Sequence, residues 1–226
     1  MTPLERLSQG LVVSCQPVDD GPMDTPAITA AMARAAEAGG ADGLRIEGLD
    51  NLAASRPTTA LAIIAIVKRD LDNSPVRITP FIDDVRDLAR HGADIIAYDA
   101  TQRPRPVPTA DLVDEIHSAG KIAMADCATL EDARIARAQG ADIIGTTLSG
   151  YAYEIAPDGA GPDLELVTAF RDLGGFVMAE GRYNTPELAA AAIRAGADCV
   201  TVGSAVTRIE HITGWFAAAV GGGSNG

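Results

Sequence analysis

The stretch ARHGADIIAYD at 89–99 contains a pattern that decides the fold, because it recurs along the chain. The other copies are AEAGGADGLRI at 36–46, ARAQGADIIGT at 136–146 and IRAGADCVTV at 193–202. Each copy has the end of an alanine-rich helix, a glycine, Ala-Asp and then an apolar strand. Glycine favours the left-handed conformation that terminates a helix, and the short link turns the chain into a sheet.

The spacing of these copies predicts further strands between them. Their glycines, 48 to 56 residues apart, are Gly40, Gly92, Gly140 and Gly196. That distance is twice one strand-and-helix unit, and the intervals contain the apolar runs Leu11–Ser14, Ala62–Val67, Lys121–Ala125 and Phe176–Ala179. Eight buried strands alternating with helices predict a parallel (β/α)8 TIM barrel. The alternative is an open doubly wound sheet, which more often has five or six strands.

We predict a single barrel domain over residues 1–220, followed by a flexible Gly/Ser-rich tail over 221–226. The composition is 47% hydrophobic but only 4% aromatic, so the core must be built from small and branched aliphatic residues. The net charge of -13 argues against nucleic acid or an anionic membrane as a partner. A single small anion remains possible where backbone amides and arginines converge.

Cysteine usage indicates a reducing compartment. Cys15, Cys127 and Cys199 are odd in number, far apart and next to apolar runs, which predicts buried free thiols. The sequence has no apolar run near the roughly 18 residues that span a membrane, and its start does not look like a secretory leader. We therefore expect a cytoplasmic protein without a membrane partner.

Polar residues follow every predicted strand, which is where TIM barrels place their chemistry. Alternation along a strand selects the side chains that point into the barrel mouth: Gln16, Arg45, Lys68, Asp126 and Glu180. Lys68 and Glu180 follow the third and seventh strands and should therefore face each other. A carboxylate such as Glu180, directed inward after Phe-Val-Met-Ala, would be costly without a function or a partner.

Each of the other residues also has an ordinary structural interpretation. Lys68 can be a solvated strand exit, Arg45 can merely neutralise Glu47 two residues on, and Asp126 can cap the following helix. The Thr-Leu-Glu-Asp sequence at 129–132 supplies that helix with a cap of its own. The convergence of all these groups on one end of the barrel is what favours a functional site.

The last two strands carry features of a phosphate site. Gly181, Gly203 and Ser204 would expose backbone amides beside the start of a short helix, and Arg208 would add a charge-assisted contact. The alternative is that these glycines only permit tight turns. The histidines, which all fall in predicted helices and which we interpret as structural, are His91, His117 and His211. Without imidazole at a strand end, we expect no catalytic metal and no cofactor.

Nine ordered motifs resemble those of bacterial N-acetylmannosamine-6-phosphate 2-epimerases. They are SCQ (14–16), RIEG (45–48), IVKRD (66–70), ITP (78–80), DATQRPRP (99–106), MADCAT (124–129), IGTTLSGY (144–151), AEGRYNTPE (179–187) and VTVGSAVTR (200–208). The resemblance implies a homodimeric isomerase that inverts C2 of N-acetylmannosamine 6-phosphate to give N-acetylglucosamine 6-phosphate, in sialic acid and N-acetylmannosamine catabolism. Two departures from the family pattern are Ile209 in place of a proline, and Tyr153 within SGYAYE.

The resemblance also implies roles for individual residues. Lys68 and Glu180 match the catalytic pair, substrate contacts fall on Gln16, Arg45, Asp126 and Arg208, and phosphate is held near Gly181, Gly203 and Ser204. Inverting a carbon requires a base and an acid on opposite walls of a pocket, which the barrel mouth provides. Burial should lower the pKa of the lysine, helped by nearby Arg45, and raise that of the glutamate.

Three rival functions are consistent with the barrel. One is another phosphate-binding barrel enzyme, such as a ribulose-phosphate epimerase or a thiazole or indole synthase, against which the missing metal ligands and GTTLSGY argue. The second is a catalytically silent sugar-phosphate-binding barrel, which would be expected to lose Lys68 or Glu180. The third is a flavin-binding barrel, which would be coloured when purified.

Overall fold

The computed structural model describes residues 2–153 and 161–221, in which eight parallel strands form a closed barrel. The strands are β1 Gly10–Cys15, β2 Gly43–Glu47, β3 Ala62–Ile66, β4 Ile95–Asp99, β5 Ile122–Asp126, β6 Ile143–Gly145, β7 Phe176–Glu180 and β8 Cys199–Val202. Each strand pairs with its neighbours in the sequence, and β8 closes onto β1. The predicted TIM barrel is confirmed, and the open sheet is excluded.

Helices surround the strands and also cover the amino end of the barrel. They are α1 Pro3–Leu7, α2 Pro26–Ala38, α3 Leu49–Ser55, α4 Ile82–Arg90, α5 Thr109–Ser118, α6 Leu130–Ala138, α7 Leu164–Leu173, α8 Pro186–Arg194, α9 Ser204–Thr207 and α10 Ile209–Gly221, with a 3-10 turn at Arg56–Thr58. The helix α10 ends at Gly221, which is the first residue of the predicted tail. The rest of that predicted tail, 222–226, lies outside the described residues.

Alternate residues of the strands fill two separate cores, as the period of two along a strand requires. The barrel interior contains Val12, Ile64, Ile66, Ile95, Met124, Ile143 and Met178, with Leu7 of α1 packed beneath them. The layer between strands and helices contains the intervening residues, among them Leu44, Ile46, Ile63, Ile96 and Tyr98. Following the inward set to the carboxyl ends of the strands, and one step beyond β1, β3 and β6, reaches the polar residues of the barrel mouth.

The aspartate of each repeated Gly-Ala-Asp link joins two neighbouring strands at the amino end of the barrel. The backbone N–H of Asp94 donates to Ile63 O at 3.1 Å, and its carboxylate accepts the N–H of the same residue at 3.0 Å. The same two bonds join Asp42 to Leu11, Asp142 to Ala123 and Asp198 to Val177. We call these four residues the aspartate clamps. The glycines before them have φ from +92° to +108°, which confirms the predicted left-handed helix ends.

Candidate active site

A cavity of about 620 Å³ opens where the strands end at their carboxyl side. It is lined by eight of the nine residues that the sequence predicted for catalysis or binding, namely Gln16, Arg45, Lys68, Glu180, Gly181, Gly203, Ser204 and Arg208. The ninth, Asp126, is fully buried beside it. The predicted convergence of polar residues at one end of the barrel is therefore present.

Arg45 pairs with carboxylates from two other strands. Its Nη2 donates to Asp126 Oδ2 at 2.6 Å and its Nη1 to Asp126 Oδ1 at 3.2 Å, so the pair is bidentate. Nη1 also donates to Glu180 Oε2 at 3.0 Å. Arg45 is 1% exposed and Asp126 is 0% exposed, so each charge depends on the other for compensation in place of water.

These contacts exclude two of the structural interpretations. Arg45 directs its ion pairs to Asp126 and Glu180 instead of Glu47, whose Oε1 accepts the backbone N–H of Lys68 at 3.2 Å. Asp126 does not cap α6, because that helix has a capping box made by Thr129 and Asp132. Both side chains instead form ion pairs at the mouth of the barrel.

Glu180 has the properties of a carboxyl group that can carry a proton near neutral pH. Its side chain is only 14% exposed, and this burial raises the pKa of Glu180 to about 7. The positive charge of Arg45 opposes the rise in pKa, whereas the negative charge of Asp126 adds to it. The predicted direction of the shift is confirmed, with burial as its main cause.

Lys68 extends from the end of β3 into the same cavity. Its Nζ donates to Gln16 Oε1 at 2.8 Å, and the Gln16 amide in turn donates to Ser14 Oγ at 3.0 Å. Burial lowers the pKa of Lys68 from its ordinary value, so the predicted direction is confirmed here too. The charges of Arg208 and Arg45 lower this pKa further, against the opposing effect of Glu47 and Asp19.

The loops after β7 and β8 lie side by side on one wall of the cavity. Gly181 has φ of +108°, a conformation that favours glycine, and Gly203 directly precedes α9, which starts at Ser204. Arg208 Nε donates to Gln16 O at 3.0 Å, which links this wall to the residue that holds Lys68. The structure thus brings together the four residues of the predicted phosphate site.

The sequence analysis missed several residues that belong to the site. Thr147 Oγ1 lies 2.7 Å from Asp126 Oδ1 and 3.3 Å from Glu180 Oε2, so it touches two of the predicted residues. Asp99, 1% exposed, holds Arg103 against the cavity wall through a contact of 2.6 Å. Alternation from Gly145 to Thr147 contains the signal for the threonine, whereas nothing local distinguishes Arg103 from a surface arginine.

Two of the three histidines that were interpreted as structural contact the scaffold, and the third lies at the cavity. His117 Nε2 contacts Asp142 Oδ2 at 2.9 Å, and His91 Nδ1 contacts Asp87 O at 2.7 Å just after α4, so both support the scaffold. His211, however, is exposed on α10 and lines the cavity together with Trp215. The sequence assigned it to a helix correctly but gave no information on where that helix lies.

The two departures from the family pattern have different surroundings. Tyr153 has φ of +60°, and its hydroxyl donates to Asp132 Oδ1 at 3.0 Å and accepts the N–H of Gln102 at 2.6 Å. It thereby ties the segment after β6 to α6 and to the loop after β4. Ile209 is 54% exposed at the first position of α10 and touches none of the catalytic candidates through a hydrogen bond.

Other predicted features are distributed over the scaffold. All three cysteines are free and buried, as predicted. Across residues 2–153 and 161–221, no group of three or more His, Cys, Asp or Glu side chains is arranged to hold a metal ion. None of the helices in these ranges has the length and hydropathy needed to cross a membrane.

A TIM barrel with a half-buried lysine and a high-pKa carboxyl group at the carboxyl ends of opposite strands has the side chains of an acid–base enzyme. Comparison with known proteins agrees with this class and narrows it. Residues 29–222 match the family described as "Putative N-acetylmannosamine-6-phosphate epimerase". The chain belongs to this family of isomerases, as its motifs indicated.

Individual relatives support the same assignment over nearly the whole chain. A protein of Haemophilus influenzae described as "Putative N-acetylmannosamine-6-phosphate 2-epimerase" is 59% identical over 96% of this chain and 94% of its own length. The structure of the N-acetylmannosamine-6-phosphate 2-epimerase from Clostridium perfringens superposes with a TM-score of 0.94 at 38% identity, covering 97% of this chain and 96% of that one. Thiamine phosphate pyrophosphorylase from Pyrococcus furiosus, at a TM-score of 0.63 and 18% identity, shares the fold alone.

Proposed function

We propose that this protein interconverts N-acetylmannosamine 6-phosphate and N-acetylglucosamine 6-phosphate by acid–base chemistry at C2 that needs no metal. The observation that carries the proposal is the pairing of Lys68 with Glu180 across one cavity. Burial lowers the pKa of the lysine from its ordinary value and raises that of the glutamate to about 7, and both shifts favour the uncharged forms that this acid–base chemistry uses. Family membership supplies the substrate.

In one direction, the neutral amine of Lys68 takes the proton from C2 of the open-chain sugar. The electron pair of the broken C–H bond moves into the C1–C2 bond, and the carbonyl oxygen becomes an enolate oxygen. Glu180 in its acid form then donates a proton to the opposite face of C2, and the electron pair returns to re-form the carbonyl. Lys68 is left as an ammonium and Glu180 as a carboxylate, and both recover their starting forms by proton exchange with water.

The enolate needs positive charge or hydrogen-bond donors, which the site contains without a metal ion. Arg45 is held by its bidentate pair with Asp126, and its Nε has no protein partner although it is buried. Gln16 lies beside Lys68 and is the second candidate donor. Donors that are fixed before the reaction stabilise developing charge without reorganisation.

The phosphate group of the substrate is placed, in this proposal, between the loops after β7 and β8. Gly181, Gly203 and Ser204 would supply backbone amides, and Arg208 would supply charge. Arg208 also lowers the pKa of Lys68, so the phosphate would partly screen this effect when it binds. We place the reaction in sialic acid and N-acetylmannosamine catabolism, in the cytoplasm, because the substrate belongs to that chemistry.

We propose further that the protein is a homodimer associated through α10. No residue of this helix is buried, and its large apolar side chains Ile209, Trp215, Phe216 and Val220 are exposed by 42% to 78%. Trp215 also lines the cavity, whereas Ile209, Phe216 and Val220 are spaced by seven and four residues and share one face of the helix. An exposed apolar face of this kind is typical of an interface between subunits. Light scattering should give the mass of two chains, and Phe216→Glu should shift it toward one, whereas Ala218→Glu, at an exposed position on the opposite face of the same helix, serves as control. A wild-type mass of one chain would contradict the dimer.

Proton NMR in deuterated water, with N-acetylmannosamine 6-phosphate and a chelator present, tests the reaction. We expect the N-acetylglucosamine epimer to accumulate with deuterium at C2, since the proton that returns comes from exchangeable groups. Binding without turnover would instead favour a silent sugar-phosphate-binding barrel. Loss of activity with the chelator and its recovery with a divalent ion would overturn the metal-free mechanism.

The chain contains two lysines, Lys68 and Lys121, which makes a direct titration practical. With 15N-labelled lysine, the Nζ signal of Lys68 should titrate below the ordinary range of a lysine, because this side chain loses hydration in the barrel mouth. A midpoint at the ordinary value would remove the basis for a lysine base.

A further inference from the structure

Thr147 lies between the two carboxyl groups of the active site, in a position that affects their protonation. Its Oγ1 is 2.7 Å from Asp126 Oδ1 and 3.3 Å from Glu180 Oε2. Arg45 Nη1 contacts the same two oxygen atoms, at 3.2 Å and 3.0 Å. Asp126 Oδ1 and Glu180 Oε2 are therefore both in contact with the Thr147 hydroxyl and with Arg45 Nη1.

The number of protons available to these oxygens is limited. Arg45 Nη1 carries two hydrogens and can donate one to each carboxyl group, whereas a threonine hydroxyl has a single hydrogen and two lone pairs. A hydrogen directed at Glu180 would lower the pKa of that carboxyl group, but the contact with Asp126 is the shorter one, 2.7 Å against 3.3 Å, and favours Asp126 as the acceptor. Thr147 then presents a lone pair to Glu180 Oε2, which is unfavourable if Glu180 is a carboxylate and favourable if that oxygen carries a proton.

We propose that Thr147 is a positioning residue that keeps the shared proton of the carboxyl pair on Glu180. In this arrangement Glu180 donates to Thr147 Oγ1, and Thr147 donates to Asp126 Oδ1. The hydroxyl hydrogens of Glu180 and Thr147 then each have an acceptor, and the negative charge rests on Asp126, where the bidentate pair with Arg45 compensates it. The inference rests on the proposed role of Glu180 as the acid, and it explains how the enzyme selects one of two adjacent carboxyl groups.

The other charged groups around Glu180 do not make this selection. Arg45 contacts both carboxyl groups, so its charge favours ionisation of each. Lys68, in its protonated form, adds a further positive charge from the loop after β3 and then opposes the protonation of Glu180. Thr147 is the one neighbour in this set that can accept a hydrogen bond from the acid form of Glu180 while donating to Asp126.

The direction of the effect is testable with Thr147→Val, which keeps the shape and removes the hydroxyl. In enzyme labelled with 13C at the glutamate carboxyl carbon, Glu180→Gln identifies the signal of Glu180. Without an acceptor for its proton, and with Asp126 deprived of a donor, Glu180 should titrate about one pH unit lower in Thr147→Val than in the wild type. Thr147→Ser, which restores the hydroxyl, should return the midpoint to within a few tenths of a unit.

A matched control comes from the adjacent strand. Thr201 lies opposite Glu180 in the register of β7 and β8, is buried, and has no hydrogen bond to either carboxyl group. Thr201→Val should therefore leave the midpoint of Glu180 unchanged. If Thr147→Val does not fold, Thr147→Ala removes the same hydroxyl without adding bulk and has the same expected direction.

An unchanged or raised midpoint in the hydroxyl-free variants would overturn the inference, because it would mean that Thr147 donates to Glu180 or does not affect it. The titration is carried out on the ligand-free enzyme, so it does not depend on turnover. If the wild type fails to exchange the C2 proton of N-acetylmannosamine 6-phosphate, the proposed function fails while the titration still decides the role of Thr147. If both hold, the pH dependence of kcat/KM should move with the Glu180 midpoint in each variant.

Discussion

The two ends of the barrel use the same kind of side chain for opposite purposes. At the amino end, the aspartate clamps direct their carboxylates at backbone N–H groups of the neighbouring strand. At the carboxyl end, Asp126 and Glu180 face an arginine, a threonine and a cavity, and make no helix cap or strand clamp. The first arrangement stabilises the fold, whereas the second places charges where water has been removed.

The two sets differ both in burial and in partners, because the carboxylates of Asp94, Asp142 and Asp198 are 26% to 37% exposed whereas Asp126 and Glu180 are 0% and 14% exposed. A carboxylate that accepts backbone hydrogen bonds keeps an ordinary role in the scaffold. A carboxyl group whose neighbours are a second carboxylate and a limited supply of donors acquires a pKa suited to proton transfer. Substitutions at the two ends should accordingly separate activity from stability.

The largest expected effect is at the mouth. Lys68→Ala should lower kcat by about a thousand-fold or more, because the base is lost, while the urea midpoint of unfolding should not fall, since a desolvated amine is removed. Epimerisation followed by NMR and urea unfolding followed by circular dichroism measure the two quantities. Lys121→Ala, at the other end of the barrel, is the control. A variant of Lys68 with near-normal turnover would refute the proposed base.

The opposite outcome is expected at the amino end. Asp198→Ala should lower the free energy of unfolding by about 2 kcal/mol, because the N–H of Val177 loses the carboxylate that accepts it at 2.7 Å. Turnover per folded molecule should be unchanged. Asp198→Asn keeps an acceptor oxygen and should lose less. Urea unfolding measures the change in stability, and the epimerisation assay measures the change in turnover. A loss of activity without a loss of stability would contradict the assignment of the amino end to stability alone.

The pH dependence of stability should also distinguish the mouth from the clamps. A folded-state pKa of about 7 for Glu180 means that the native protein binds more protons than the unfolded chain between roughly pH 4.5 and 7. The stabilisation from this group is full below that window and is lost as the pH rises through it. Glu180→Gln should therefore gain stability relative to the wild type between pH 5 and pH 8, by on the order of 2 kcal/mol. A difference that stays constant with pH would show that the glutamate pKa is not raised.

The smallest effect should come from the side chain that supports a clamp from outside. Arg171 contacts the Asp198 carboxylate at 2.8 Å, but both side chains are partly exposed, at 37% and 26%. Arg171→Ala should cost about 0.5–1 kcal/mol, less than Asp198→Ala, because solvent screens this ion pair. Urea unfolding of both single variants and the double variant measures the coupling. A larger loss of unfolding free energy for Arg171→Ala than for Asp198→Ala would show that the clamp stabilises the fold mainly through the ion pair and not through its backbone hydrogen bonds.

The sequence predicted those features that depend on local periodicity. Glycine positions and apolar runs predicted every strand, and alternation identified the side chains that face the mouth. Alternation could not predict which of these side chains form pairs. Arg45 and Asp126 are 81 residues apart, and the pattern shows only that both point into the barrel mouth. The position of α10, and with it the place of His211 in the cavity, depends on packing that no local pattern encodes. Alternation from Gly145 places Thr147 in the mouth, but it was not selected as a candidate because a threonine after a strand is uncharged.

The clamps also bear on how the chain reaches its folded state. Each one joins an odd-numbered strand to the next strand, and the two bonded residues are separated by 31, 31, 19 and 21 positions along the chain. Loops of this length close readily, whereas joining β8 to β1 requires the two ends of the barrel to meet. We therefore expect pulsed hydrogen exchange to show protection first within the pairs β1–β2, β3–β4, β5–β6 and β7–β8, and last along the seam between β8 and β1.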